Sequence, residues 1–577
     1  MSSQRKLMKA RRKAQKSARK LAVMEASSAN AAPAAAPRSA VGPVVSSLAA
    51  PATYDGAHAS RDPYLAPRLP GATAPAKGRR RRSRSALVVL ASLLVIGGLA
   101  AGVWFGYAQD RYEDEPTETS ATISFENVRG IGEAIVVRDG TVTVEALAAV
   151  EGIGDRFSFD GSVAVLRSPL LVDTTGSFEV ADVELRMSLG TGDATYIEVR
   201  GGDLAVRRST LTSWDEATNA VDDDVDDGRA SVLVTAGGSA SVRESRLVSL
   251  GHGETDRHGF SFTGGSTSGS IVDTEIEGNH AGVTVSGDVE VELRNLDISD
   301  VTASGIELAG TTGVSVSDSV VQASAGDGIT VLGGSADIVI HSNDVFGNAG
   351  TGLALVGSSG KVEVYDNLSH RNGRAGVTVS NTRDVVIRDN KVWGNLVGVS
   401  LVGGNSGTDV RNNTIGGNRG AGVESTSAGN TVLIRDNVID HNEHGVVVTD
   451  GTVEVRGNRI EDNTFGVAVL DKSPRAVVRD NDILNSAEGG IRLVTADGIE
   501  IDGNTVNGNR MAPFVVDVLD QSLVFHDSND AQSGRKGLEW VYEPLRDIGE
   551  LAIIEPVPAE FFIQPNVEFL IPEEPAR

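Results

Sequence analysis

Residues 385–398 read VVIRDNKVWGNLVG, and the chain restates that stretch at nearly constant intervals, as DVRNNTIGGNRGAG at 409–422 and LIRDNVIDHNEHG at 433–445. The closing glycine belongs to a register, Gly259, Gly282, Gly305, Gly328, Gly352, Gly376, Gly398, Gly422, Gly445, Gly466 and Gly490, with steps of 21 to 24 residues. After each glycine come apolar residues spaced by two, among them Val283/Val285, Ile306/Leu308, Val399/Leu401 and Val467/Val469. That spacing is the period of a β-strand. Further short β-branched segments follow in each unit, such as 385–387 and Leu433 with Ile434. No 3.6-residue pattern runs for ten positions, which argues against helical and leucine-rich repeats. A unit this short cannot bury a core alone and must stack on its neighbours.

Two asparagine registers accompany the glycines. One comprises Asn343, Asn367, Asn390, Asn413, Asn437, Asn458, Asn481 and Asn504; the other, just before the glycine turn, comprises Asn348, Asn372, Asn395, Asn418, Asn442, Asn463 and Asn485. Amides stacked at the corners of successive coils satisfy turn backbone that would otherwise be buried unpaired. The pattern predicts an all-β chain folded as a right-handed parallel β-helix, with three short strands, two polar corners and one glycine corner per coil. A β-propeller would need roughly 40–50 residues per blade. The regular repeats occupy 259–509, and irregular alternating segments over 123–258 predict early coils or a capping subdomain.

Outward from this array the chain changes character. Residues 1–85 carry 18 Lys+Arg against three acids, so a net charge of −26 divides into +15 there and −41 over the remainder. Their Ala/Ser/Pro-rich composition predicts a disordered cytoplasmic tail and linker. Residues 86–109 open on 23 uncharged positions, enough to cross a hydrocarbon core of ~30 Å as one helix. Arg79, Arg80, Arg81, Arg82 and Arg84 lie before this span, and Asp110, Glu113, Asp114 and Glu115 after it. By the positive-inside rule the N-terminus is cytoplasmic and the repeats are extracytoplasmic, beyond an acidic spacer at 110–122. The membrane is thus an expected partner, and nucleic acid is not. The absence of cysteine excludes disulfides and thiolate metal sites. Residues 510–577 are expected to close the open end, with 538–551 packed over it and a Pro/Glu-rich tail beyond.

The run SPLLVDTTGSFEVADVELRM at 168–187, the stretch from Ser213-Trp214 to Asp227-Gly228-Arg229, the LGHG turn at 250–253 and the later NxIxxNxxxG coils resemble the mannuronan C5-epimerase-like and NosD-like right-handed β-helix proteins over about 160–510. The resemblance implies the fold and polysaccharide as a ligand class. In that family an Asp-Pro-His-Asp motif after a Tyr-Gly-Ile turn supplies much of the chemistry. Here the matching turn is Ser304-Gly305-Ile306, followed by Glu307-Leu308-Ala309-Gly310, so the proline and histidine are missing. The leading expectation is therefore a protein that binds or organises cell-surface polysaccharide without turnover.

Three groups carry the candidate chemistry. His252, Asp256, Arg257 and His258 offer a base, an acid and a carboxylate clamp within seven residues, as an active epimerase or lyase needs; His258 also fills the repeat slot of His444, an ordinary corner position. Trp393, Tyr365, Arg388, Arg411 and Arg435 could form a polysaccharide-binding strip, or the arginines could pair with acids such as Asp389 and Asp436. Asp222, Asp224 and Asp226 could hold Ca2+, or belong to a solvated insertion. A scaffold for a protein partner, in the NosD manner, would need no sugar site.

Overall fold

The computed structural model describes residues 121–532 apart from 189–194, 226–227, 254–256, 359, 427–430, 471–474, 495–497, 511, 517–523 and 526–528. The basic tail, the apolar stretch 86–109, most of the acidic spacer, the closing segment 538–551, Asp226 and Asp256 lie outside the described residues. Among the described residues no helix is long and apolar enough to cross a membrane.

One coil gives the plan. Ala375–Ser380, Val385–Arg388 and Lys391–Trp393 form three strands in turn, and Val397–Val402 begins the next coil. Each strand pairs in parallel with its counterpart one coil on: Val377 with Val399, Ile387 with Val410, Val392 with Ile415. Repetition builds three long sheets, here called first, second and third in that order, the first two with 17 and 16 strands. Alternation sends every second residue inward, so equivalent positions form columns. In the second sheet one column reads Ile387, Val410, Ile434, Val455, Val478, Ile501, each fully buried. These β-branched side chains suit a pleated surface, and each contributes about 1.5–3 kcal/mol by leaving water.

The asparagines stack as the sequence requires. The Asn390 main-chain N–H and its Nδ2 both donate to Asn413 Oδ1 at 3.0 Å, and Nδ2 also donates to Val364 O at 2.9 Å. The same bonds run from Asn343 to Asn529, with Ser319 donating into the top of the ladder. The second ladder differs at one rung. Asn485 is exposed with φ of 56°, and the buried slot belongs to Ser486, whose N–H donates to Asn509 Oδ1 at 2.8 Å.

The glycine corner needs a different account. Gly376, Gly398 and Gly422 lie inside first-sheet strands, and their φ is not positive. They are small because of what they touch: a Cβ on Gly398 would sit 2.3 Å from Gly422 O and 2.5 Å from Ile415 Cγ2. The left-handed bends fall instead just before ladder asparagines, at Ser342, Asp366, Asp389, Asn412, Asp436, Gly457, Asp480 and Gly503, with φ from 54° to 63°. Asp, Asn and Gly tolerate that conformation best.

The early segments continue the same sheets. Their period is blurred because corner insertions lengthen the coils: Ser177, Asp203, Ser239 and Ser268 are successive second-sheet partners at steps of 26, 36 and 29 residues. At the N-terminal end Thr122–Val128 pairs antiparallel with Gly132–Arg138, and the helix Val144–Ala148, capped by Thr143, puts Val144 and Leu147 into the end of the core.

Candidate polysaccharide-binding faces

On the outer face of the first sheet, Ile197 and Val199 enter the core, which leaves Tyr196 and Glu198 on the opposite face of their strand. The Arg257 guanidinium lies 3.4 Å from the Tyr196 ring centroid, and Arg200 pairs with Glu198 through Nη2 at 2.6 Å. Burial pushes the Tyr196 phenol up, partly opposed by Arg257. At the adjoining corner His258 and His280 have ring centroids 5.6 Å apart, and His280 Nδ1 is 2.9 Å from Thr302 Oγ1. Burial holds His280 below the usual imidazole range, helped by His258, Arg229 and His252. A protonated phenol, a neutral imidazole and a guanidinium are the groups that proton transfer next to a carboxylate needs.

Of the sequence-predicted cluster, the structure places Arg257 and His258 on this face, while Asp256 is outside the described residues. His252 belongs to the same loop, its main-chain N–H donating to Arg257 O at 3.1 Å. Tyr196, Glu198 and His280 escaped sequence reasoning because they come from other coils. Arg229 did carry a signal, the Asp-Gly-Arg run, but no role. It is 2% exposed and ties two corners together, donating from Nε to Gly251 O at 2.9 Å and from Nη1 to Gly278 O at 2.8 Å. The Ser304-Gly305-Ile306 turn leads to Glu307 on the outer face between Thr284 and Thr330, then to Leu308 in the core.

The second sheet carries the predicted strip. His341, Tyr365, Arg388, Arg411, Arg435, Arg456 and Arg479 are successive partners in one outer column. His341 stacks on Tyr365 with centroids 4.9 Å apart, and Arg388 covers the other side at 4.0 Å. The acid pairing occurs too: Arg388 Nη1 to Asp389 at 2.9 Å and Arg435 Nη1 to Asp436 at 3.0 Å. Trp393 is not part of this strip. It stands on the third sheet, stacked on His370 at 4.1 Å, which stacks in turn on Phe346 at 5.0 Å.

In the acidic loop, Asp222 is 4% exposed and accepts from Ser213 Oγ at 2.9 Å and from the Asp224 N–H at 3.2 Å. Its oxygens are engaged in holding the loop base, while Asp226 lies outside the described residues. Among the described residues no group of three or more His, Asp or Glu side chains is placed to hold a metal ion.

Two histidines make stability depend on pH. Burial lowers both His280 and His444. The unfolded chain protonates these rings from about pH 6.5 downward and the folded chain only at lower pH, so stability is full above that value and falls as pH drops through it. The melting temperature is expected to decrease between pH 7 and 5, with a shallower decrease for His444→Gln; equal slopes would remove His444 from this account.

Comparison with known proteins agrees with the fold. The family described as a right-handed β-helix region matches residues 206–369, 258–415, 360–458 and 401–538, together more than half of the chain. A mannuronan C5-epimerase of Pseudomonas syringae pv. tomato is 27% identical over 139 residues, 23% of this chain and 25% of that protein. The chain thus matches a quarter of that relative's length. Among solved structures, a mutant of the periplasmic alginate epimerase AlgG aligns with a TM-score of 0.50 at 20% identity, over 61% of this chain and 86% of that one, a likeness of fold.

Proposed function

We propose, for a chain that belongs to the right-handed β-helix family, a membrane-anchored extracytoplasmic protein that binds cell-surface polysaccharide along its ladders without turning it over. Residues 86–109 would be the anchor, with the arginine flank inside. The observation that carries the reading is the outer column from Tyr365 through Arg388, Arg411 and Arg435 to Arg479, one side chain per coil in unbroken register. Coils rise by about 4.8 Å, the scale of one sugar ring, so an extended glycan can meet the same chemistry at every step. Tyr365 supplies an aromatic body and the arginines supply planar donor forks. The empty proline and histidine slots after Ile306 favour binding over turnover.

The test is retardation of the full-length protein, in detergent, on gels containing soluble polysaccharides. Retardation is expected, with affinity reduced at least fivefold by Tyr365→Ala combined with Arg388→Ala. No retardation by any polymer would end the proposal.

A second reading, a polysaccharide epimerase or lyase, is favoured by Arg257 lying over the buried Tyr196, with a neutral His280 at the adjoining corner. Product analysis after incubation with polymannuronate separates the two. Turnover lost in Tyr196→Phe and His280→Gln would establish the enzyme in place of the binder.

A further inference from the structure

The arginines of the second-sheet ladder are not equivalent. Asp409 accepts from Arg435 one coil on, at 3.0 Å from Nε and 2.8 Å from Nη2. Glu454 does the same for Arg479, accepting from Nε at 2.9 Å and from Nη2. Both carboxylates are thus committed to the following coil. Arg411 and Arg456, on the same strands as these acids, reach them only as ion pairs, with Nε at 3.0 and 3.2 Å. Their Nε–H is buried without an aligned acceptor, and among the described residues no group accepts from their Nη atoms. With 28% and 39% of these side chains exposed, the outer ends of both forks meet solvent.

The motif occurs twice, two coils apart. The neighbouring outer column alternates acid with hydrocarbon: Glu363, Val386, Asp409, Leu433, Glu454, Val477, Glu500. At about 4.8 Å per coil, the two unfilled forks lie ~10 Å apart, about two sugar rings, with the aliphatic Leu433 between them. Charge is balanced within each unit: Asp409 and Asp436 face Arg411 and Arg435, and Glu454 and Asp480 face Arg456 and Arg479. A polyanion gains no net attraction from such a surface and must approach its carboxylates. A hydroxyl-rich chain meets spare donors and a strip for its C–H faces.

We propose that Arg411 and Arg456 donate to hydroxyl and ring oxygens of an uncharged polysaccharide lying along the coil axis, one disaccharide per interval. This rests on the polysaccharide-binding reading and narrows it to a ligand class.

The experiment is gel retardation of the full-length protein by hydroxyethyl cellulose, galactomannan and dextran as uncharged polymers, with polymannuronate as the charged one. At least one uncharged polymer is expected to retard the protein equally at 0.05 and 0.5 M salt. The double variant Arg411→Lys with Arg456→Lys, which keeps charge and loses the fork, should weaken that retardation at least fivefold. Thermal melting of the variant separates loss of binding from loss of fold. Stronger, salt-sensitive retardation by polymannuronate would overturn the uncharged class and leave polysaccharide binding standing. Unchanged binding in a folded double variant would overturn the two arginines. No retardation by any polymer overturns this inference and the function it rests on together.

Discussion

Gly398→Val is expected to destabilise the solenoid by more than ~3 kcal/mol, enough to prevent recovery of a protease-resistant core. A Cβ there would lie 2.3 Å from the Gly422 carbonyl oxygen and 2.5 Å from Ile415 Cγ2. One of these belongs to the ladder between coils, and the other is a buried third-sheet side chain. Neither can retreat, because each is held by the coil beyond it. Gly404→Ala is the matched control: its Cβ would meet only Asn381 Oδ1, at 3.7 Å. It should unfold in urea close to wild type. If Gly398→Val proved as stable as Gly404→Ala, close approach would not be the reason for the glycine register.

Asn413→Ala is expected to cost ~2–5 kcal/mol, the sum of a few buried polar groups left without partners. Asn413 Oδ1 accepts both the main-chain N–H and the Nδ2 of Asn390, and its own Nδ2 donates to Ile387 O at 2.9 Å and Arg411 O at 3.0 Å. Alanine orphans the Asn390 N–H and removes the donor to both carbonyls, at a corner water does not reach. Because each coil contacts only its neighbours, damage should be local, seen as faster hydrogen exchange at Asn390 and its neighbours before global unfolding changes. Asn413→Ser should recover part of the loss, since in the equivalent slot the Ser319 hydroxyl accepts from the Leu296 N–H at 3.1 Å. Uniform exchange along the solenoid in the alanine variant would contradict a ladder acting rung by rung.

These two registers also measure how far the sequence could be read. The period, the strands and the buried asparagines were legible, because stacking forces equivalent residues of successive coils into one chemical environment. Two details were not. The glycines looked like bends and are contact points, a distinction that needs the neighbouring coil. Asn485 looked like a rung and is the left-handed residue beside it, because asparagine satisfies both roles and Ser486 hides the slot. The irregular coils before 259 gave up their pairing only in three dimensions, since insertions at their corners erase a fixed period while leaving the ladders intact.

The candidate faces divide in the same way. Arg388, Arg411 and Arg435 could be placed in one column from spacing alone, yet spacing could not say that Asp409 is taken by Arg435 and leaves Arg411 unfilled. Trp393 and Tyr365, both aromatic and one coil apart, separate onto different sheets because a corner lies between their strands. Tyr196 and His280 are 84 residues apart in the chain.

What the amino-acid order determined alone was the solenoid: repetition makes each coil its neighbour's template, so periodicity in one dimension becomes contact in three. What only the folded chain decided was which side chains share a face and which donors stay unspent. That depends on distances across coils, where a hydrogen bond is made or missed within a few tenths of an ångström.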